Sequence, residues 1–311
     1  MTRVLVIGTG AMATLFAARL SRAGNAVTIF GSWRQALDRA KTSGLGLAEE
    51  GQGMVLTPLS TATDDPGNLG KQDLVLFLNK TYQLEGVLHR LAPWMVSSEG
   101  SRSVLLTLQN GIGNLEKIQQ SALHLPVYAG VTTMAAQLQA PAEVMITGYG
   151  PIQLPASKDS GWMAGLLNEA MFTTEVLADQ QGLLWRKVVV NAAINPLTAV
   201  HGVPNGDLLK DEKLGDAMRR LVVETVRVAE SKGVQLDRAE MLEWVEKVCV
   251  KTAANRSSML TDLDRGSRTE IDAINGEIVK IAELNGIEAP ENRYWLQRVR
   301  EMEQKKGCQA E

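Results

Sequence analysis

A chain of 311 residues, 45% hydrophobic and 22% charged, has the make-up of a soluble globular protein and the length of two domains that each bury a core. Its formal net charge of −3 lacks the basic footprint of a nucleic-acid binder, and without a run of about 18 apolar residues it offers no membrane-spanning helix. Two cysteines, Cys249 and Cys308, and three scattered histidines make no metal-type cluster, so a reduced, cytoplasmic setting without a metal is expected.

RVLVIG follows directly on Met1 and Thr2, so no secretory signal is expected. From Val4 to Phe30, VLVIGTGAMATLFAARLSRAGNAVTIF reads as strand, turn, helix and second strand. Within the turn, Gly8, Thr9, Gly10, Ala11, Met12 and Ala13 form a GxGxxA pattern. Gly8 permits the tight bend, Gly10 lets the backbone approach a pyrophosphate, and Ala13 allows the helix to pack closely on the strand. The helix N-terminus then presents unpaired N–H groups to a diphosphate, so a dinucleotide cofactor is predicted.

The residues after the second strand choose between NAD and NADP, because an acid there would hold a ribose 2′-hydroxyl. They are Gly31, Ser32, Trp33 and Arg34, and the next acid is Asp38. Ser32 and Arg34 suit a 2′-phosphate, which predicts NADP. Further apolar runs, DLVLFL, SVLLTL and VYAGVTT, alternate with helical patterns and predict a parallel sheet covered on both faces. Two of them end in polar groups, Asn79 with Lys80 and Gln109 with Asn110, at the strand ends where ligands of such sheets collect.

Strand signals stop near Asp179. In LLWRKVVVNAAINPLT, Leu183 to Thr198, the polar residues Lys187, Asn191 and Asn195 recur every fourth position and share one face of an otherwise apolar helix. That stripe meets water, polar partners or a ligand, because burying a charge or an unpaired amide is costly. Pro196 predicts a kink at its end. Amphipathic helices are expected over 210–232, 238–254, 270–285 and 291–306, followed by a frayed tail within EMEQKKGCQAE. Thr269 with Asp272 has the spacing of a capping pair opening the third of these, with Ile271, Ile274, Ile278 and Ile281 on its apolar face. Glu270 then sits in the first turn near the core, and Lys187 is a candidate partner. The chain reads as α/β followed by all-α, with domains at 1–178 and 179–311.

LNK at 78–80, LQNGIGN at 108–114, WRKVVVNAAINPLTA at 185–199, PNG at 204–206, NRSSML at 255–260 and TEIDAING at 269–276, with the glycine turn, resemble the ketopantoate reductase (2-dehydropantoate 2-reductase) family over nearly the whole chain. The resemblance implies a Rossmann-type domain, an all-helical C-terminal domain like that of 6-phosphogluconate dehydrogenase, and an active site in the cleft between them. It implies NADPH-dependent reduction of 2-dehydropantoate to (R)-pantoate, a step towards pantothenate and coenzyme A.

Position by position, Lys187 matches the family's catalytic lysine and Glu270 its active-site glutamate. Asn110, Asn191, Asn195, Asn205 and Ser258 match substrate-holding groups, while Lys80, with Asn110 and Glu270, matches the cofactor side. Met134 stands where a histidine is expected in many members, and the segment from Gln137 to Tyr149 is not distinctive. Another small 2-oxo or 3-hydroxy acid is an alternative substrate, and a non-catalytic NADP-binding sensor an alternative role. The apolar faces of the C-terminal helices can pack within the chain or across a homodimer.

Overall fold

A computed structural model describes residues 1–49, 51–97, 102–122 and 124–308. The chain divides into two compact units, one of residues 1–109 and 114–180, the other of 110–113 and 181–311.

The first unit runs β1 (Arg3–Ile7), α1 (Ala11–Arg22), β2 (Ala26–Phe30), α2 (Arg34–Ser43), β3 (Leu45–Ala48), β4 (Val55–Thr57), β5 (Thr61–Thr63), β6 (Leu74–Phe77), α3 (Leu84–Ser97), β7 (Val104–Thr107), α4 (Asn114–Ser121) and β8 (Val127–Ala129). It continues through β9 (Val131–Thr132), β10 (Ala135–Ala140), β11 (Glu143–Gly148), β12 (Ile152–Pro155), α5 (Ser160–Glu169) and β13 (Thr174–Leu177). Six strands form a parallel sheet in the order β5-β2-β1-β6-β7-β8. That order reverses direction between β1 and β6, as in a Rossmann-like sheet.

The alternation of side chains explains why these strands are apolar at every position. Val4, Val6, Leu74, Leu76 and Leu106 pack with Leu15 and Phe16 of α1 on one face. Leu5, Ile7, Val75, Phe77 and Leu105 pack with Leu88 and Leu91 of α3 and Ile118 of α4 on the other. A strand buried on both faces has no solvent side to leave polar.

Two smaller sheets were not read from the sequence. β10 and β11 form an antiparallel hairpin that adds to β3 and β4, and β12 pairs with β9 and β13. The hairpin carries the segment around Gln137 to Tyr149, whose half-buried, polar-interrupted pattern resembles a loop. VYAGVTT, expected as one strand, splits at Gly130 into β8 and β9, which join different sheets. A Cβ at Gly130 would lie 2.8 Å from the Gln153 carbonyl oxygen, so this close approach needs a residue without a side chain.

The second unit is helical: α6 (Gln180–His201), α7 (Glu212–Ser231), α8 (Arg238–Lys251), α9 (Ser258–Asp264), a π-turn over Asp272–Gly276, α10 (Glu277–Leu284) and α11 (Pro290–Lys306). Its core draws Val188, Val189, Ala192, Ala193 and Leu197 from α6, Leu221 and Val222 from α7, Val245 from α8, and Ile271, Ile274 and Ile278. No described helix is long and apolar enough to cross a membrane.

Three expectations change here. α7 opens two residues after Lys210 because the Asp211 carboxylate accepts from the N–H groups of Lys213 (2.9 Å) and Leu214 (3.2 Å) and sets the start. The tail is helical through Lys306 and closes on left-handed Gly307, with the Cys308 N–H donating to the Glu303 carbonyl; the remainder, 309–311, lies outside the described residues. Thr269 and Asp272 do not make a reciprocal cap: Thr269 Oγ1 accepts from the Ile271 N–H at 3.2 Å, while Asp272 accepts from Arg268 (2.8 Å) and Arg300 (2.8 Å). Paired guanidiniums hold the Asp272 carboxyl below its usual range against the opposing effect of burial, so it serves as an ion-pair anchor.

Candidate active site

In the first unit the glycine turn has the features a dinucleotide needs. Gly8 adopts φ +124°, donates to the Phe30 carbonyl at 2.8 Å, and approaches Asn79 so closely that a Cβ would stand 3.0 Å from its backbone nitrogen. Gly10 caps the start of α1, and a Cβ there would meet nothing within 4 Å. The first turn of α1 carries no acid to oppose an anion. Ala13 is fully buried, as the close helix packing requires. Thr9 lies against Gly31, and Ala11 and Met12 pack partly on the sheet core.

Asn79, buried beside Gly8, donates through Nδ2 to the Lys80 carbonyl at 3.0 Å, while its Oδ1 has no hydrogen-bond partner among the described residues. An unpaired acceptor at a ligand-binding turn is the kind of group a bound molecule satisfies. Lys80 is partly buried, and its backbone N–H donates to Gln83 Oε1 at 3.2 Å.

Past β2, Ser32 is exposed and Arg34 opens α2 with its side chain 82% accessible. Asp64, just beyond β5, pairs with Arg34 at 3.0 Å. The sequence excluded an acid next to β2 but gave no sign of this one, because β5 comes to lie beside β2 only in the folded sheet.

The second unit gathers most of the predicted substrate residues. α6 is a continuous helix through Pro196, so Lys187, Asn191 and Asn195 do share a stripe. Lys187 and Asn191 are partly accessible and Asn195 is buried. Part of Lys187 stays open, yet burial of its ammonium dominates: desolvation pushes its pKa down to about 8, and the nearby Glu270 carboxylate opposes the shift. Glu270 is itself buried and accepts through Oε2 from Asn110 Nδ2 at 2.9 Å. The short segment 110–113 belongs to this unit because it docks on the π-turn, where the Ile112 N–H donates to the Ala273 carbonyl at 3.3 Å. Lysine, carboxylate and carboxamide are thus electrostatically linked within one compact unit.

Asn205 and Ser258 have other surroundings. Buried Asn205 donates to Thr252 Oγ1 at 2.9 Å, and its Oδ1 has no partner among the described residues. Ser258 is an exposed residue in the first turn of α9. Its neighbour Ser257 is the structural one: buried, it accepts from the Leu260 N–H at 3.1 Å and from the Thr198 hydroxyl at 2.7 Å, tying α9 to α6. Serine just ahead of a helical run was the available signal.

Met134 fills core space in the first unit, where its sulfur accepts from the Gly150 N–H at 3.5 Å. At that position the chain has a packing contact and no titratable ring.

The family description "Ketopantoate reductase PanE/ApbA" matches residues 4–159, and "Ketopantoate reductase PanE/ApbA C terminal" matches residues 179–303. The chain is 35% identical over 309 residues to the 2-dehydropantoate 2-reductase of Archaeoglobus fulgidus, with 97% of this chain and 98% of that one covered. Among solved structures it is similar to a PanE/ApbA family ketopantoate reductase from Ralstonia eutropha JMP134, at a TM-score of 0.89 and 28% identity, covering 98% of this chain and 99% of that one. It is also similar to D-mandelate dehydrogenase solved with NADH and anilino(oxo)acetate, at a TM-score of 0.89 and 25% identity, covering 99% of this chain and 100% of that one.

Proposed function

The chain belongs to the ketopantoate reductase family, and from that premise we propose that it reduces the ketone of a small 2-oxo acid with NADPH, 2-dehydropantoate being the favoured substrate. The observation that carries this reading is the electrostatic coupling of the desolvated Lys187 ammonium to the buried Glu270, with Asn110 on the carboxylate and two more carboxamides on the lysine's helix face.

The nicotinamide, when bound, supplies the hydride. Gly8, Gly10 and the start of α1 fit its diphosphate, Asn79 Oδ1 offers an unpaired acceptor beside them, and Ser32, Arg34 and Lys80 are the groups assigned to the rest of the cofactor. Lys187, with a pKa of about 8, is protonated about ten to one at pH 7. Its ammonium polarises the substrate carbonyl and gives a proton to the oxygen that gains charge as hydride arrives at carbon. An ammonium lowered from 10.5 towards neutrality is a better donor than a free lysine while staying mostly charged.

Glu270 limits that lowering and accepts a substrate hydroxyl. Asn110, Asn191 and Asn195 supply neutral donors and acceptors to the carboxylate and hydroxyl, which avoids crowding fixed charges where water is scarce.

The test follows NADPH absorbance with a panel of 2-oxo acids that includes 2-dehydropantoate. Oxidation with 2-dehydropantoate well above the rest is expected. A preference for an aryl 2-oxo acid, the chemistry of the mandelate enzyme's ligand, would reassign the substrate; no oxidation with any would favour the sensor.

Efficiency with NADPH is expected to exceed that with NADH, and Arg34→Ala to narrow the gap about tenfold or more, since a charge-assisted contact to phosphate is worth roughly 1.5–3 kcal/mol. Equal efficiencies in the unaltered enzyme would sink the NADP assignment. For Glu270→Gln, an oxygen remains to accept from Asn110, so the expected change is a rise in KM of about tenfold with kcat kept within a few-fold; a collapse of kcat at constant KM would give Glu270 a chemical role.

A further inference from the structure

Pro196 lies inside α6, and proline has no N–H to give the carbonyl four residues before it, here that of Ala192. Ala192 is fully buried, so water is a poor replacement. Asn275 takes over: its Nδ2 donates to the Ala192 carbonyl oxygen at 3.2 Å across 83 positions of sequence. The gap it fills lies between Asn191 and Asn195, in the helix that carries Lys187 one turn earlier.

Asn275 sits in the π-turn that follows Glu270, where the Gly276 N–H reaches back five residues to the Ile271 carbonyl at 3.0 Å. The same Nδ2 also donates to Asn292 Oδ1 at 2.9 Å. Asn292 in turn donates through Nδ2 (2.8 Å) and its backbone N–H (2.7 Å) to Glu224 Oε1, and the Glu291 N–H donates to Glu224 Oε2 at 3.0 Å. Both oxygens of the buried Glu224 therefore act as acceptors at the start of α11. That directs the amine of Asn292 towards Glu224 and its oxygen towards Asn275, which leaves Asn275 only its amine to present to Ala192.

Asn275 is 0% exposed and its Oδ1 has no partner among the described residues. An amide kept in a core with one end unpaired is explained by the demand on its other end.

We infer that Asn275 is a positioning residue of the reaction: its amide replaces the backbone donor missing at Pro196 and thereby fixes the Lys187–Asn191–Asn195 face of α6 in register with the π-turn that follows Glu270. This rests on the reading of Lys187 as the proton donor. Neither proline nor asparagine suffices alone, since the proline creates the vacancy that the asparagine answers.

The two positions form a double-mutant cycle in the full-length chain: Asn275→Leu, Pro196→Ala, and both together. Asn275→Leu keeps the branched shape but orphans the Ala192 carbonyl and Asn292 Oδ1; it is expected to lower kcat about 10- to 100-fold with the KM for NADPH held within twofold. Adding Pro196→Ala restores a main-chain N–H at the gap and is expected to recover kcat by more than threefold, where a purely structural pair would move the denaturation midpoint without this split.

A recovery of threefold or less, or a loss spread equally over the KM for NADPH, overturns the inference. Where Asn275→Leu gives too little folded protein, Asn275→Ser, which admits water to the orphaned acceptors, takes its place and is judged by the same threshold. Failure of the donor reading shows separately, as turnover retained by Lys187→Ala.

Discussion

Lys187→Ala is expected to fold, to bind NADPH, and to lose about 10²- to 10³-fold in kcat, the usual loss when a group that stabilises developing charge is removed. In the unaltered enzyme kcat/KM should fall as pH rises through about 8, because the form of the free enzyme that donates is the one lost at that pKa. Stability has the opposite sign. The folded state releases this proton near pH 8 and the unfolded chain near 10.5, so between those values the unfolded state binds more protons and stability rises with pH. Denaturant midpoints measured across that window should climb in the unaltered enzyme and stay flatter in Lys187→Met. Turnover of Lys187→Ala within a few-fold of the parent would remove lysine from the chemistry; a pH profile flat through 8 would remove the desolvated ammonium.

Gly111→Ala is the second large effect, expected without touching a polar side chain. Gly111 has φ +83°, and a Cβ there would stand 2.2 Å from the Ala273 carbonyl oxygen. Left-handed backbone costs an alanine roughly 1–2 kcal/mol, and overpacking costs a further 1–3 kcal/mol or so. The segment relieves this by lifting off the π-turn, which gives up the Ile112 bond to Ala273 and the Asn110 bond to Glu270.

Substrate KM is therefore expected to rise at least about tenfold, with a lowered denaturation midpoint. Gly113→Ala is the internal control. Its φ of +86° carries the same backbone strain, but the nearest atoms to its Cβ, those of Glu277, lie 3.7 Å away, an ordinary contact. A Gly111→Ala enzyme with unchanged KM, or one no worse than Gly113→Ala, would mean that docking on Ala273 does not hold Asn110 in place.

Much of this architecture is legible in the chain because its periods are unambiguous. Apolar runs such as VLVI and LVLF, interleaved with helical patterns, read as strands covered twice, and the fourfold spacing of Lys187, Asn191 and Asn195 survives as a helix face. The hairpin of β10 and β11 is different: its burial alternates weakly, and its partner β3 lies 97 positions away, so local pattern contains little of it.

The site divides along the same line. Residue types at Lys187 and Glu270 suggest chemistry on their own, but the Asn110 contact spans 160 positions and the Asn275 bond spans 83. The π-turn was hidden for a related reason. TEIDAING has a helix's apolar spacing, which does not distinguish the five-residue bond from Gly276 to Ile271 from the ordinary four-residue one. Asp64 reached Arg34 through strand order alone.

Residues 110–113 belong to the helical unit yet are enclosed in sequence by the other one, so the chain changes unit three times, after Gln109, Gly113 and Gln180. No single cut therefore yields both units intact. A fragment beginning at Gln181 would carry Lys187 and Glu270 but leave behind the carboxamide that hydrogen-bonds the glutamate. Transplanting the helical unit onto a different nucleotide-binding partner would require moving four residues from a distant loop along with it, which makes this pair of units resistant to modular exchange.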